Sequence, residues 1–249
     1  MQIMVITVGA ESSYSEQELE ARRDRILRHT SQGTEVEMSF PEVGTCFRMN
    51  GPTELDLTLV APHIVKRAIE AEERGFDAVF LHGLYDPGIE AAKHIVDIPV
   101  VGPGRVVSHV AAAIANRIGG IAPNDDGIPY LRKMLASYGV LHMFTPIRGI
   151  NIPLFEAQAR RDEMKTRFLE AARKSIKEGA EIIFPLCYVN VPVHLAPSEL
   201  TMELGVPVID GVGIGIKFTE MLVELGWRQS RKGYVKPNMS GQEICGLLS

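Results

Sequence analysis

The sequence has no block of basic residues, and its formal net charge of −5 with a pI near 5.8 is spread along the chain, not gathered in an acidic tail. Binding a phosphate backbone requires clustered cations, so nucleic acid is not expected as a partner. A membrane is not expected either. The apolar start Met1–Ala10 has no charged leader and is too short to span a bilayer, so it reads as a first buried strand and the chain as cytoplasmic. Cysteine is scarce: Cys46, Cys187 and Cys245 are odd in number and widely spaced, which suits neither a disulfide framework nor a CxxC metal site, and free thiols in a reducing compartment are expected. His63, His94, His109, His142 and His194 lack HxxxH or similar ligand spacing, so a metal site is not expected. Gly211-Val-Gly-Ile-Gly215 is G-x-G-x-G and not the dinucleotide fingerprint G-x-G-x-x-G, and a tight strand-to-helix turn accounts for it better. From Arg228 onward the chain turns polar and loses periodicity, which reads as a surface extension.

What is present is an ordinary globular composition, 45% hydrophobic and 23% charged over 249 residues, enough to bury a sizeable core. Short apolar runs bounded by Gly, Pro or Asp alternate with longer amphipathic stretches, the pattern of strands and crossover helices around a parallel sheet. The class is α/β. Strands are expected over 3–7, 35–40, 77–82, 99–101, 118–122, 142–147, 181–186 and 207–210. The clearest helices are expected over 16–30, 57–74, 104–115, 128–138, 161–177 and 212–225.

The most informative feature is internal. Gly75-Phe-Asp-Ala-Val-Phe-Leu-His-Gly83 aligns with Gly179-Ala-Glu-Ile-Ile-Phe-Pro-Leu-Cys187: a glycine C-cap, an acidic residue, then a buried strand. The offset is constant, since 179 − 75 and 187 − 83 both equal 104. Downstream, Ile98-Pro-Val-Val-Gly102 answers Val206-Pro-Val-Ile-Asp210 after a short helix in each half. Parallel sheets hold many apolar runs of this kind, but a match over a whole strand–helix–strand unit favours duplication. The chain is accordingly read as two pseudo-symmetric Rossmann-like lobes, 1–103 and 104–211, with a C-terminal helix and tail, 212–249, packing back on the first lobe.

Ligands of open parallel sheets gather at the carboxyl ends of the strands. Gly83 and Cys187 sit at those ends in equivalent places, so a cleft between the lobes is expected to have a thiol on one wall and no side chain on the other. A cysteine at a strand end is otherwise often only a small core residue.

Further motifs point to a family. Asp86-Pro87-Gly88 with Glu90-Ala91-Ala92, Pro99-Val-Val-Gly102 and Gly205-Val-Pro-Val-Ile-Asp-Gly211 occur in that order, with weaker support from Ser137-Tyr-Gly139 and Cys187. Over nearly its whole length the sequence resembles the aspartate/glutamate/hydantoin racemase superfamily, most closely its hydantoin racemase branch. The resemblance implies a cofactor-independent enzyme in which Cys187 holds the place of the second catalytic cysteine. Gly83 holds the place of the first. A glycine there with a cysteine at the second position is similar to the arrangement in arylmalonate decarboxylase. The segment Thr7-Val-Gly-Ala10 departs from the family's usual Asn-Pro-Asn loop.

The chemistry can also be reasoned from the residues. Proton transfer beside a carbonyl passes through an enolate-like species and needs an acid/base together with donors for the developing oxyanion. Cys187 is the candidate acid/base, its thiolate favoured by amides of the loop that follows. The loop 84–88, with Leu84 and Tyr85, is a candidate cradle for a carboxylate or oxyanion. Tyr85 and Tyr188 follow the paired positions and either donate hydrogen bonds or only pack. Asn124, past the strand at 118–122, is a candidate for polarising an oxyanion. Cys46 and Arg48 lie in a long loop where a thiol is as readily incidental as functional, and where an arginine is more often solvated than a carboxylate ligand. His82 should point away from the face of Gly83 and serve the core or an interface. Cys245, in the polar tail, reads as incidental.

Two classes of function remain at this point. One is an enzyme acting at an acidic carbon of a small carboxylate or cyclic amide, as a racemase or isomerase, a decarboxylase, or a hydrolase with a cysteine nucleophile. The other is a small-carboxylate binding protein that kept the cleft and lost a catalytic residue. The sequence leaves open a homo-oligomer.

Overall fold

Strand β1 (Gln2–Thr7) buries every residue after Gln2, as expected of a parallel strand covered on both faces. The computed structural model describes residues 1–43 and 53–248. Of its β1-to-β4 sheet, β2 is Glu35–Ser39, β3 Ala78–His82 and β4 Val100–Val101, in the order β2-β1-β3-β4 with every pair parallel. A second parallel sheet has the order β6-β5-β7, with β5 Ile118–Ala122, β6 Arg148–Gly149 and β7 Ile182–Pro185. Helices α1 (Glu16–His29), α2 (Glu54–Glu73), α3 (Ile89–Ile95), α4 (Pro103–Ile114), α5 (Ile128–Ser137) and α6 (Arg161–Lys177) lie between the strands, and α7 (Pro197–Leu204), α8 (Gly211–Glu224) and α9 (Gly241–Leu247) follow β7. The fold is the α/β class of the sequence reading. Among the described residues no helix is long and apolar enough to cross a membrane.

The chain divides into two compact units. The first takes the N-terminal sheet, Leu55–Pro103 and the residues from Gly215 onward; the second takes Gly104–Ile214. The core of the first is built on Met4, Ile6, Ile64, Ala68, Val79 and Leu81, and that of the second on Ile121, Met164, Phe168, Ala172, Ile183 and Leu200.

The internal match has a physical basis. Gly75 and Gly179 both take positive φ, 81° and 95°, and end α2 and α6. The acidic residue two places on then ties the strand to its neighbour. Asp77 Oδ2 accepts from the Gln2 amide at 2.7 Å, and Glu181 Oε2 accepts from the Asn116 amide at 2.7 Å. The prolines are equivalent as well: the carbonyls of Pro99 and Pro207 accept at 2.9 Å from Val79 and Ile183, which are 104 residues apart. Proline keeps its acceptor while lacking the donor, so it sits at the start of a strand.

Two expected strands shrink. Over 142–147 the chain forms a 3-10 turn (Leu141–Met143) and a single bridge from Phe144 to Ile118, and pairing resumes only at β6. Pro146 has no N–H to continue the ladder. Over 207–210 only Val208 bridges, to Ile183. The polar tail is also more ordered than its composition suggests. Gln229 donates to the carbonyls of Val96 and Ile98 at 2.6 and 3.0 Å, and Arg231 donates to Lys93 O at 2.8 Å. A capping box between Ser240 and Glu243 starts α9, whose Ile244 and Cys245 pack on the first core.

Candidate active site

Cys187 lies two residues past β7. The backbone of the preceding Leu186 still donates to Ile121 O at 2.7 Å, and the chain then leaves the sheet. Val191 N donates back to Cys187 O at 3.2 Å, Val193 N to Tyr188 O at 3.1 Å and Leu195 N to Asn190 O at 2.9 Å, so Cys187 opens a kinked helical turn that runs over Val189–His194. Val191 interrupts that turn with extended angles, φ −139° and ψ 122°. The thiol-bearing residue is 5% exposed, and Tyr188, Val191 and Val193 are buried beside it in the chain. Tyr188 sets a further requirement: a Cβ on Gly211 would lie 2.6 Å from Tyr188 Cε1, so the ring excludes any side chain there. Asp210 Oδ1 accepts from the amides of Val212 and Gly213, at 3.1 and 3.0 Å, and caps α8. The glycine run is the start of a helix.

At the other carboxyl ends of this sheet the polar groups are occupied. Asn124 is buried, and its Oδ1 accepts from Gly127 N at 2.9 Å, leaving the amide NH2 as the group it can offer an oxyanion. Asp125 and Asn151 tie β5 to β6 through Asp125 Oδ1 on Gly149 N and Asn151 Oδ1 on Asp125 N, each at 2.9 Å.

In the first unit, Gly83 follows β3, and Leu84 and Tyr85 are buried. A Cβ on Gly83 would lie 2.3 Å from Val8 Cγ1. The loop continues through Asp86, which takes a positive φ of 51°, and Gly88, where φ is 73° and a Cβ would come 2.6 Å from Ala61 O. Ile89 N is turned back onto Asp86 O at 3.4 Å, a long contact, at the start of α3.

His82 is buried and pairs in register with Thr7. Arg22, also buried, places Nη1 3.2 Å from His82 Nδ1, binds Glu18 Oε1 at 2.7 Å through Nη2 and stacks 4.5 Å from the centre of the Tyr14 ring. Since a guanidinium can only donate, His82 Nδ1 is the acceptor and the proton sits on Nε2. Burial, reinforced by the adjacent Arg22 charge, pushes the His82 pKa down to about 3. Tyr14 OH accepts from Gly9 N at 3.0 Å, and burial raises the Tyr14 pKa. Thr7 Oγ1 donates to Gly9 O at 2.8 Å. These bonds hold the turn that carries Val8 against Gly83.

Cys46 and Arg48 lie outside the described residues. Cys245 is partly buried against the first core, where burial raises its pKa. No three His, Cys, Asp or Glu side chains among the described residues form a metal-ligand group. Sequence reasoning missed Asn190, Val8, Arg22 and Tyr14. The one local signal was Asn190, a lone amide in the apolar run Tyr-Val-Asn-Val-Pro-Val.

A family model described as Asp/Glu/Hydantoin racemase matches residues 48–219. Hydantoin racemase of Rhizobium meliloti is 26% identical over 231 residues, covering 87% of this chain and 94% of its own. Hydantoin racemase of Pseudomonas sp. (strain NS671) is 29% identical over 195 residues, 78% of this chain and 76% of its own. Among solved structures, allantoin racemase from Klebsiella pneumoniae has a TM-score of 0.85 at 24% identity, covering 96% of this chain and 95% of its own. Unliganded arylmalonate decarboxylase has a TM-score of 0.58 at 20% identity, covering 89% and 92%. These two likenesses establish the fold.

Proposed function

Because the chain belongs to the Asp/Glu/hydantoin racemase family, we propose that it catalyses cofactor-independent proton transfer at the acidic carbon of a cyclic amide or small carboxylate, with Cys187 as the acid/base. Membership makes the chain an enzyme of racemase or isomerase type acting on a small molecule. The observation that carries the finer reading is the place of Cys187: a buried thiol at the carboxyl end of a parallel strand, opening the turn that follows. In that position a thiolate takes the proton from carbon, the electron pair passes into the adjacent carbonyl as an enolate, and the thiol returns a proton. The names of the curated relatives favour a hydantoin-type ring as the substrate.

A second reading is favoured by Gly83. Racemisation needs an acid/base on each face of the carbon, and a residue without a side chain supplies none. Decarboxylation needs one proton donor: the C–C bond breaks, carbon dioxide leaves, its bonding pair stays on carbon as an enediolate, and Cys187 protonates one face. Two assays in deuterated water separate the readings. One follows optical rotation and deuterium entry with a single enantiomer of benzylhydantoin; the other follows carbon dioxide release from a phenyl-substituted malonate. Loss of rotation that depends on Cys187 supports racemisation. Carbon dioxide release with an optically active product supports decarboxylation, and neither reaction would remove both readings.

A further inference from the structure

The side chain of Asn190 is 2% exposed, and its Oδ1 makes no hydrogen bond to any described residue. A buried carbonyl oxygen without a donor forfeits its hydration and recovers nothing, so such groups are rare in folded proteins and call for a specific explanation. The position supplies one. The bond from Val191 N to Cys187 O, 3.2 Å, closes a turn that begins at Cys187, and the bonds that follow it, from Val193 N to Tyr188 O and from Leu195 N to Asn190 O, are one residue wider. Asn190 is held inside that first turn, three residues on from the thiol. The backbone carbonyl of Asn190 is already engaged by Leu195 N at 2.9 Å, which fixes the residue while leaving its side-chain oxygen available.

We infer that Asn190 Oδ1 is a specificity-determining acceptor for an N–H group of the substrate, so that the site selects rings or chains bearing an amide or ureide N–H beside the reacting carbon over those in which that nitrogen is alkylated or replaced by oxygen. The inference rests on the proton-transfer reading for where the substrate lies, and on nothing else in it. Leaving a buried polar group unpaired discriminates more strongly than removing an apolar contact, because the rejected ligand leaves the oxygen without a partner that water would otherwise provide.

The test uses the full chain, with benzylhydantoin and its two N-methyl derivatives as probes, and follows binding by calorimetry and α-carbon exchange by proton NMR. Wild type should bind one N-methyl derivative at least about tenfold more weakly than the parent ring. Asn190→Leu, similar in size but without an acceptor, should erase that preference, and Asn190→Asp, which keeps acceptor oxygens, should retain part of it. The comparison between ligands on unaltered protein keeps the test valid if Asn190→Leu fails to fold. Equal binding of all three rings by wild type, absence of binding to any of them, or a preference that persists in Asn190→Leu would overturn the inference. Cys187→Ser separates it from the proposed reaction: if that variant exchanges the α-hydrogen at the wild-type rate while still preferring the N–H ring, the acid/base reading fails and the assignment of Asn190 stands.

Discussion

Val8 occupies the space that a side chain at residue 83 would need, for a Cβ on Gly83 would lie 2.3 Å from Val8 Cγ1 and 3.1 Å from Val8 Cγ2. Val8 is β-branched and stiff about its first side-chain bond, so it gives way less readily than a straight chain would. The absence of a side chain at residue 83 is thus tied to a residue just past the end of the neighbouring strand.

Gly83→Cys alone should then overpack this corner and cost about 1–3 kcal/mol. Pairing it with Val8→Ala should recover most of that loss relative to Val8→Ala by itself, and only the double variant should gain racemising activity. Urea midpoints together with deuterium exchange check this. A single Gly83→Cys variant as stable as wild type would show that Val8 is not the obstacle.

Cys187→Ala should lower kcat by about 10²–10⁴-fold, the usual scale for an acid/base group. Cys46→Ala and Cys245→Ala should leave kcat near wild type. Cys245, whose pKa burial raises, should also alkylate slowly at neutral pH. Rates for the three variants, with mass-spectrometric mapping of an alkylating label, decide the matter.

His82 should make the protein acid-sensitive in a defined window. Its folded pKa of about 3 lies below the ordinary value of 6.5, so between those values the unfolded chain binds a proton that the folded chain refuses. Stability contributed by the neutral ring is complete above pH 6.5 and is lost as pH falls towards 3, at a rate approaching about 1.4 kcal/mol per pH unit. His82→Asn keeps an acceptor for Arg22 and removes the titration. Its stability should fall less than that of wild type over this window, as denaturant unfolding at several pH values would report; parallel curves would refute the assignment.

The repeated acidic residues give a simpler test. Asp77→Ala and Glu181→Ala should each cost about 0.5–1.5 kcal/mol, because each removes an acceptor from a strand amide. Asp77→Asn and Glu181→Gln should lose less. Thermal unfolding of the four variants would show whether these matched bonds have matched worth.

The sequence by itself determined the α/β class, the extents of α6 and β5, the 104-residue match and the placement of Cys187 just past a strand end. All of these are local: periodic burial, a glycine that ends a helix and a proline that begins a strand are each written within a few residues. It also turned His82 away from the face of Gly83, towards the core or an interface, and the fold buries it. The weak points were local in origin too. Pro146 broke a run that apolarity alone would have continued, and a polar tail concealed a capping box and the arginine and glutamine contacts that pin it to the end of α3.

Only the tertiary structure decided what surrounds the strand ends. The register that sets Thr7 beside His82 brings Val8 over Gly83, and Arg22 from α1 selects the tautomer of His82. Neither relation leaves a trace in spacing, since the partners are 75 and 60 residues apart and meet only through the sheet and the helix packed on it. Asn190 was visible as an amide among apolar residues, but whether its oxygen found a partner depended on every neighbour the fold brought to it. Hydrogen-bond satisfaction is a property of the packed molecule, and for that reason the sequence could name Cys187 while the unpartnered oxygen of Asn190 emerged only from the fold.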